Sequence, residues 1–383
     1  MIIEYGGRNC WAFKEWMTVS FEINKNVPQE YGFSDVNVVP ALCFEGGNAS
    51  GKSCALRVLS FIIDFCKNSF VLSNSQSILF DTYFNNDDPA EFFLTFALSE
   101  ALSQKYTYEV KLTKRKVLSE TLYTVNGDKK VFLIKRENNK ISSNYFTTKI
   151  DNIIIKDNSS VISTLFQYGV PEMNRFLPFF SNFLSNVTYN STIDEQLVDY
   201  AAAYYYENPD IHRRVVEQLK LFDTGIEEVV IRKGVDMYGR EQFLSEFIHK
   251  TVEGGQSLNY FNQSTGTKLL YNRLKDFFLT LLNGGIFIYD ELGEHLHPRI
   301  VPYLYNYFLD NESNKTHAQF IFTSHYPGIM DDMKKYRTYL FNKEDGESYC
   351  YRVDELSSKI LLRNDRSLEA TYKTGMLGGV PNV

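Results

Sequence analysis

Cysteine is sparse and unpatterned in this chain. Its five copies, Cys10, Cys43, Cys54, Cys66 and Cys350, are odd in number and form no Cys-x-x-Cys pair. That argues against a disulfide framework and a structural zinc site. Long apolar runs are missing as well: none approaches the ~18 residues that span a bilayer. The opening Met1-Ile2-Ile3-Glu4-Tyr5 has neither the basic n-region nor the apolar h-region of a signal peptide, so a cytoplasmic protein without membrane contact is expected. In that setting the Asn-x-Ser/Thr matches at Asn186 and Asn190 carry no meaning. A surplus of positive charge is also absent. The net charge is −7, so composition gives no general affinity for nucleic acid.

Charge is nevertheless uneven. The span Lys111–Lys149 is net +7 because Glu120, Asp128 and Glu137 are its only acids. It is a candidate DNA contact, with a solvated strand face or a dock for an acidic partner as the plainer reading. The 383 residues, 44% hydrophobic and 23% charged, are ordinary for a globular protein but long for one compact domain, and suit a two-lobed head with an insertion. The 15% aromatic content suggests no function.

Along the chain, Val38–Phe44 reads as a buried strand, with pairing expected from Ala41 because Pro40 cannot donate. A helix is expected over Gly51–Asn68, with Leu56, Leu59, Ile62, Ile63 and Cys66 on one face. Residues 91–136 alternate as antiparallel strands, with a hairpin turn at Asn126-Gly127. From 140 to 220 no strand signal stands out, and Glu195–Tyr206 and Asp210–Leu221 look helical. Beyond Gln263 the order is helix, strand (Gly285–Tyr289), helix, strand (Gln319–Thr323), which favours a mostly parallel sheet covered by helices. The expected organisation is a phosphate-loop lobe with an antiparallel β subdomain (1–140), a mostly helical insertion (141–250), and a lobe completing the same head (251–383).

Gly46-Gly47-Asn48-Ala49-Ser50-Gly51-Lys52-Ser53 fits G-x-x-x-x-G-K-[ST] in full, after a strand and before a helix. Such a loop curls its backbone N–H groups around phosphates at a helix N-terminus. Lys52 is the expected ligand of the β- and γ-phosphates, and Ser53 of Mg²⁺. Chance alone matches this pattern in roughly one chain in a hundred of this length. The apolar run Gly285–Tyr289 ends in Asp290-Glu291, where Asp290 is a second expected ligand for Mg²⁺ and Glu291 a candidate general base. His325 follows another apolar strand, placed to reach a γ-phosphate. Ser264-Thr265-Gly266 opens a helix and can hold an anion by its hydroxyl, amides and dipole. Glu294, His295 and His297 do not make a metal centre, because histidines two apart do not share a helix face.

The order of phosphate loop, Ser-x-Gly signature, Asp-Glu and histidine resembles ABC-type ATPases, the SMC and RecN class included. The wording of 47–53, Ser264–Lys268, Asp290–Pro298 and Gln319–His325 resembles the AAA-family ATPases of bacterial abortive infection and phage defence. So does a terminal Tyr-x-x-Gly-x-x-Gly-x-x-Pro at Tyr372, Gly375, Gly378 and Pro381. The resemblance implies an α/β P-loop NTPase head with a mixed sheet, an antiparallel β lobe and a helical insertion. It further implies Mg²⁺-dependent ATP hydrolysis in a head-to-tail dimer or higher homo-oligomer. There the phosphate loop, Asp290, Glu291 and His325 of one copy meet Ser264 and Gly266 of the other. By the same resemblance the chain is the sensor or motor half of an antiviral system, with a separately encoded effector, a nuclease or toxin. A repair ATPase of the SMC/RecN kind and a nucleotide-locked scaffold are the alternatives. The glutamine that links Mg²⁺ to lobe movement in such enzymes has Gln76 as its candidate. GTP is less favoured: Asp290–Gly293 fits D-x-x-G and Asn342–Asp345 fits N-K-x-D, yet 238 residues separate Lys52 from Asp290. With 58 residues after His325 and no Asp-x-Asp cluster, no nuclease activity is expected of this chain alone.

Overall fold

The computed structural model describes residues 1–127, 129–137, 140–143, 145–147, 150, 153–187, 199, 201–222, 224–356 and 367–380. In chain order β1 (Ile2–Arg8), β2 (Met17–Ser20) and β3 (Ala41–Gly46) lead into α1 (Lys52–Asn68). Next come β4 (Ala90–Leu98), β5 (Ala101–Leu112), β6 (Val117–Asn126), β7 (Lys129–Glu137) and β8 (Lys140–Ser142). Helices α2 (Val161–Gln167) and α3 (Leu177–Ser181) precede β9 (Phe183–Ser185), followed by α4 (Ala202–Glu207) and α5 (Pro209–Leu221). A hairpin set, β10 (Ile226–Val235), β11 (Glu241–Thr251) and β12 (Gly254–Asn259), comes before α6 (Thr265–Asn283). The remainder is β13 (Ile286–Tyr289), α7 (Val301–Leu309), β14 (Gln319–Thr323), α8 (Ile329–Met333), β15 (Thr338–Glu344), β16 (Glu347–Arg352) and α9 (Leu368–Lys373).

Among the described residues these strands form three sheets. The central one runs β16-β15-β3-β14-β13-β9, parallel throughout except for the β15–β16 hairpin. Strands β3, β13 and β14 are buried along their whole length, as near-continuous apolar runs with both faces covered must be. Their period of two sorts side chains into two cores. Leu42, Phe44, Ile286, Ile288 and Ile321 face α1 and the antiparallel lobe. Ala41, Cys43, Phe287, Tyr289, Phe320 and Phe322 face α6 and α7. The second sheet, β2-β1-β4-β5-β6-β7-β8, is antiparallel. It presents Phe92, Leu94 and Phe96 of β4 and Tyr106, Tyr108 and Val110 of β5 inward, against the α1 side.

Helix α1 starts one residue after the expected Gly51, and the five residues expected on its inner face are buried. Strand β14 has the expected bounds. Among its described residues the span expected to be a mostly helical insertion (141–250) holds, beside four helices, the end of β8, β9, β10 and most of β11. Strand β9 is only three residues long and completes the parallel edge beside β13. In β10 a register shift between Ile226 and Glu228 breaks the alternation that marks a strand in sequence. Residues 195–198 and 200 of the expected Glu195–Tyr206 helix lie outside the described residues, as does Pro381.

The basic span also differs from a free cationic face. Arg136 is wholly buried, 3.6 Å from Glu120 and donating to the carbonyls of Ser159 and Lys156. Lys111 pairs with Glu91 at 2.9 Å, Lys114 with Asp81 at 3.1 Å and Lys135 with Glu137 at 3.1 Å. Asp128 and Lys149 lie outside the described residues.

Candidate active site

Three neighbouring strands of the central sheet, β3, β14 and β13, deliver the expected chemistry to their carboxyl ends. Strand β3 ends at Gly46, where an added Cβ would come within 2.4 Å of the Phe341 carbonyl. The chain then turns through Gly47, Asn48, Ala49 and Ser50, with Ala49 left-handed at φ 59° and Gly51 at φ 104°. Helix α1 begins without a side-chain cap, so its first amides are left without a side-chain acceptor. The Ser50 hydroxyl is buried without a hydrogen-bond partner among the described residues. Free amides at a helix N-terminus, left-handed backbone and an unpaired buried hydroxyl together fit a phosphate chain. Lys52 is buried, and its Nζ donates back to the carbonyls of Gly46 at 2.7 Å and Gly47 at 3.0 Å. Burial lowers its pKa; the charges of Glu45, Asp290 and Glu291 act the other way.

Asp290 leaves the end of β13 buried and held from two sides. Thr323, the last residue of β14, donates its hydroxyl to Asp290 Oδ1 at 2.6 Å. Asn186 accepts from the Asp290 amide at 2.8 Å and donates to the Asp290 carbonyl at 3.1 Å. Glu291 adopts a left-handed backbone, φ 63°, with its amide donating to Thr323 Oγ1 at 2.7 Å. A non-glycine residue in that region is uncommon and strained, and persists only where its surroundings fix it. Burial raises the Glu291 pKa, helped by hydrogen bonding and charge from Glu294 and opposed by His325. His325 Nε2 lies 3.7 Å from Glu291 Oε1. Both side chains line an open cleft of about 400 Å³ with Leu292, Gly293, Ser324 and Tyr326. Lys52, Asp290, Glu291 and His325 are thus gathered at the carboxyl ends of these interior strands. Ser53 is the second residue of α1, next to Lys52.

The signature is elsewhere. Ser264 is exposed and caps α6, accepting from the Thr267 amide at 3.1 Å. Gly266 abuts the loop after Glu291: an added Cβ would lie 2.6 Å from the His295 carbonyl. Among the described residues no hydrogen bond or ion pair joins Ser264 or Gly266 to the phosphate loop, Asp290 or Glu291. Gln76, the candidate for an Mg²⁺-linked glutamine, is exposed and accepts from the Ser73 amide at 2.6 Å in a local turn. His297 Nδ1 accepts from the Arg299 amide at 3.2 Å. In the N-K-x-D match, Asn342 Oδ1 accepts from the Gly379 amide and Asp345 sits in a left-handed turn, φ 49°. That geometry gives the match a structural job.

Three residues of the site escape sequence reading. Thr323 sits inside the quoted Gln-x-Ile-Phe-Thr-x-His pattern and could have been found there. Asn186 carries no local signal, since only the parallel pairing of β9 with β13 sets it beside Asp290. Glu45, 2% exposed at the end of β3, carries a carboxyl pushed up to about 8 by burial, with Lys52 opposing.

Among solved structures, the SMC head domain from Thermotoga maritima is similar at 14% identity and a TM-score of 0.47, covering 92% of this chain and 98% of that one. The Smc head domain with a coiled coil and joint from Pyrococcus yayanosii is similar at 11% identity and a TM-score of 0.48, covering 97% and 99%. No curated protein sequence matches. A family model matches residues 43–331, a stretch that takes in the phosphate loop from its strand, the Asp-Glu pair and His325. The chain therefore belongs to the family described as "AAA domain, putative AbiEii toxin, Type IV TA system".

Proposed function

We propose that this chain hydrolyses ATP with Mg²⁺ in a head-to-tail dimer, Ser264 and Gly266 of each copy closing the triphosphate pocket of the other. The observation that carries this reading is the gathering of Lys52, Asp290, Glu291 and His325 at the carboxyl ends of β3, β13 and β14, while Ser264 stays exposed and, among the described residues, bonded to none of them. A triphosphate on the phosphate loop leaves one flank to water, and a second anion-ready helix end is suited to close it. Lys52 exchanges the Gly46 and Gly47 carbonyls for phosphate oxygens. Ser53 and Asp290 hold the Mg²⁺, which when bound offsets the charge of the phosphates. Glu291 orients the attacking water and takes its proton; a carboxyl raised by burial and by Glu294 is a better base near neutral pH. His325 steadies Glu291 and reaches the terminal phosphate.

The family description supports a place in a defence or toxin–antitoxin system, with this chain as its ATPase sensor or motor and a separate effector. In the test, Glu291→Gln retains ATP binding, loses at least about a hundredfold in phosphate release, and becomes an ATP-dependent dimer by light scattering. A variant that binds ATP yet stays monomeric counts against the sandwich. Hydrolysis of ATP and GTP measured side by side is expected to favour ATP, and an inert ATP with active GTP overturns the nucleotide assignment. In cells, Lys52→Ala is expected to lose any phage resistance the intact system confers.

A further inference from the structure

The terminal Tyr-x-x-Gly-x-x-Gly pattern has no part in the chemistry above, yet the fold brings it against the phosphate loop. Helix α9 is capped by Asp331 of α8: Ser367 Oγ donates to its carboxylate at 2.7 Å, and the amides of Leu368 and Glu369 donate at 2.5 and 3.2 Å. Helix α8 starts four residues after His325. Further on, the Tyr372 hydroxyl donates to the Gly379 carbonyl at 2.8 Å, and the Tyr351 hydroxyl to the Leu377 carbonyl at 2.5 Å. The Gly379 amide donates to the Asn342 side chain. Leu368, Tyr372 and Leu377 are buried with Met330, Leu340 and Val353 in a small core of their own.

This packing ends at the phosphate loop. A Cβ added to Gly379 would stand 3.1 Å from the Tyr372 ring and 3.7 Å from the Gly46 Cα. At Gly378 an added Cβ would meet Asn342 Oδ1 at 3.0 Å as well as the Tyr351 hydroxyl. Both glycines are left-handed, at φ 74° and 75°, so backbone conformation and close approach each call for glycine. On its other flank Gly46 is closed in by the Phe341 carbonyl. The first glycine of the phosphate loop thus rests between β15 and the terminal segment, whose far end is pinned to the helix after His325.

We propose that Ser367–Val380 is a strap that fixes the entry of the phosphate loop, with Tyr372 and Asn342 as positioning residues for Gly46. The strap makes the loop's nucleotide-ready shape a resident feature of the free protein and ties it through Asp331 to the helix carrying the histidine loop. Its effect on nucleotide affinity rests on the proposed ATPase reading; its effect on the loop itself does not.

The experiment compares the full chain with Tyr372→Phe, which removes one hydroxyl and little else. Hydrogen–deuterium exchange of amides 46–51 in the nucleotide-free protein is expected to quicken by about fivefold to tenfold. Binding of a fluorescent ATP analogue is expected to weaken by the same factor, about 1 to 1.4 kcal/mol, with the melting temperature nearly unchanged. Asn342→Ala, which acts on Gly379 from the opposite side, is expected to do the same. If the wild-type chain binds no nucleotide while loop exchange still quickens, the strap stands and the ATPase reading fails. If the wild-type chain binds ATP, and both variants bind it equally well with unchanged loop exchange, the strap is overturned. A fall in melting temperature with unchanged loop exchange and affinity also overturns it, because the contacts then serve stability alone.

Discussion

The N-termini of α1 and α6 are both anion-ready by composition, yet their surroundings differ. Helix α1 starts at a left-handed glycine with no side-chain cap, and the Lys52 beside it is buried among carboxylates of the same chain. Helix α6 starts at an exposed Ser264 whose hydroxyl is already engaged by Thr267. The first end is held open inside one chain, so its ligand can bind there without help. The second carries Lys268 in its first turn and abuts the His295 carbonyl at Gly266, yet among the described residues no hydrogen bond or ion pair joins Ser264 to the phosphate loop or the acidic pair. Self-capping keeps such an end stable while it waits, and that asymmetry is what a composite site between two copies needs.

The sharpest way to break this comparison is to disable each end separately. Lys52→Ala and Ser264→Arg are each expected to lose at least about a hundredfold in ATP hydrolysis. Mixed together they are expected to recover part of it, because a mixed dimer keeps one intact pocket. No recovery, with both variants folded and able to associate, removes the sandwich. A smaller effect is expected inside the α1 site itself. Asn186→Ala leaves the Asp290 backbone short of two buried hydrogen bonds, so kcat is expected to fall about tenfold with KM little changed. An unchanged kcat would mean that Thr323 alone suffices to hold Asp290.

A further prediction concerns Glu45, below the α1 site and without a counterpart at α6. Its carboxyl rises from the ordinary 4.5 to about 8 on folding, through burial. The folded state therefore holds this proton more tightly, and the associated stability is complete below about pH 4.5 and is lost as pH climbs through about 8. Glu45→Gln is expected to flatten the decline in melting temperature between pH 5 and 8 by a few degrees. Equal slopes for both proteins would show that Glu45 is not the group responsible. The last effect, on folding rather than on catalysis, is expected at α6, where Gly266→Ala sets a methyl against the His295 carbonyl. A loss of about 1–3 kcal/mol in stability by chemical denaturation is expected there, and no loss would mean that the 293–297 loop moves aside.

Much of this was legible in the chain itself. The eight residues 46–53 specify a phosphate loop because only glycine and small residues allow its backbone path. The runs at 286–289 and 319–323 specify buried strands because a parallel sheet covered on both faces leaves no polar side to alternate with. What stayed hidden depends on pairing between distant segments. Phe183–Ser185 is too short to announce itself as a strand, and Asn186 reads as a loop residue until β9 docks beside β13. Arg136 and its neighbours read as a surface charge run until Glu120, from the adjacent strand β6, is found beneath.

Sequence alone determined the chemistry on offer: a lysine, a hydroxyl, two carboxylates and a histidine, each at the end of a strand or the start of a helix. Those local grammars need only a few neighbouring residues to operate. The tertiary structure decided which of these groups meet, since strand order in the sheet places β3 beside β14 and β14 beside β13 across nearly 300 residues of chain. It also decided that Ser264 stays exposed as the cap of α6, that Asn186 and Thr323 hold the acidic pair, and that the terminal glycines lie against Gly46. Long-range packing chooses among contacts that local sequence leaves equally open, and here that choice sets the shape of the site.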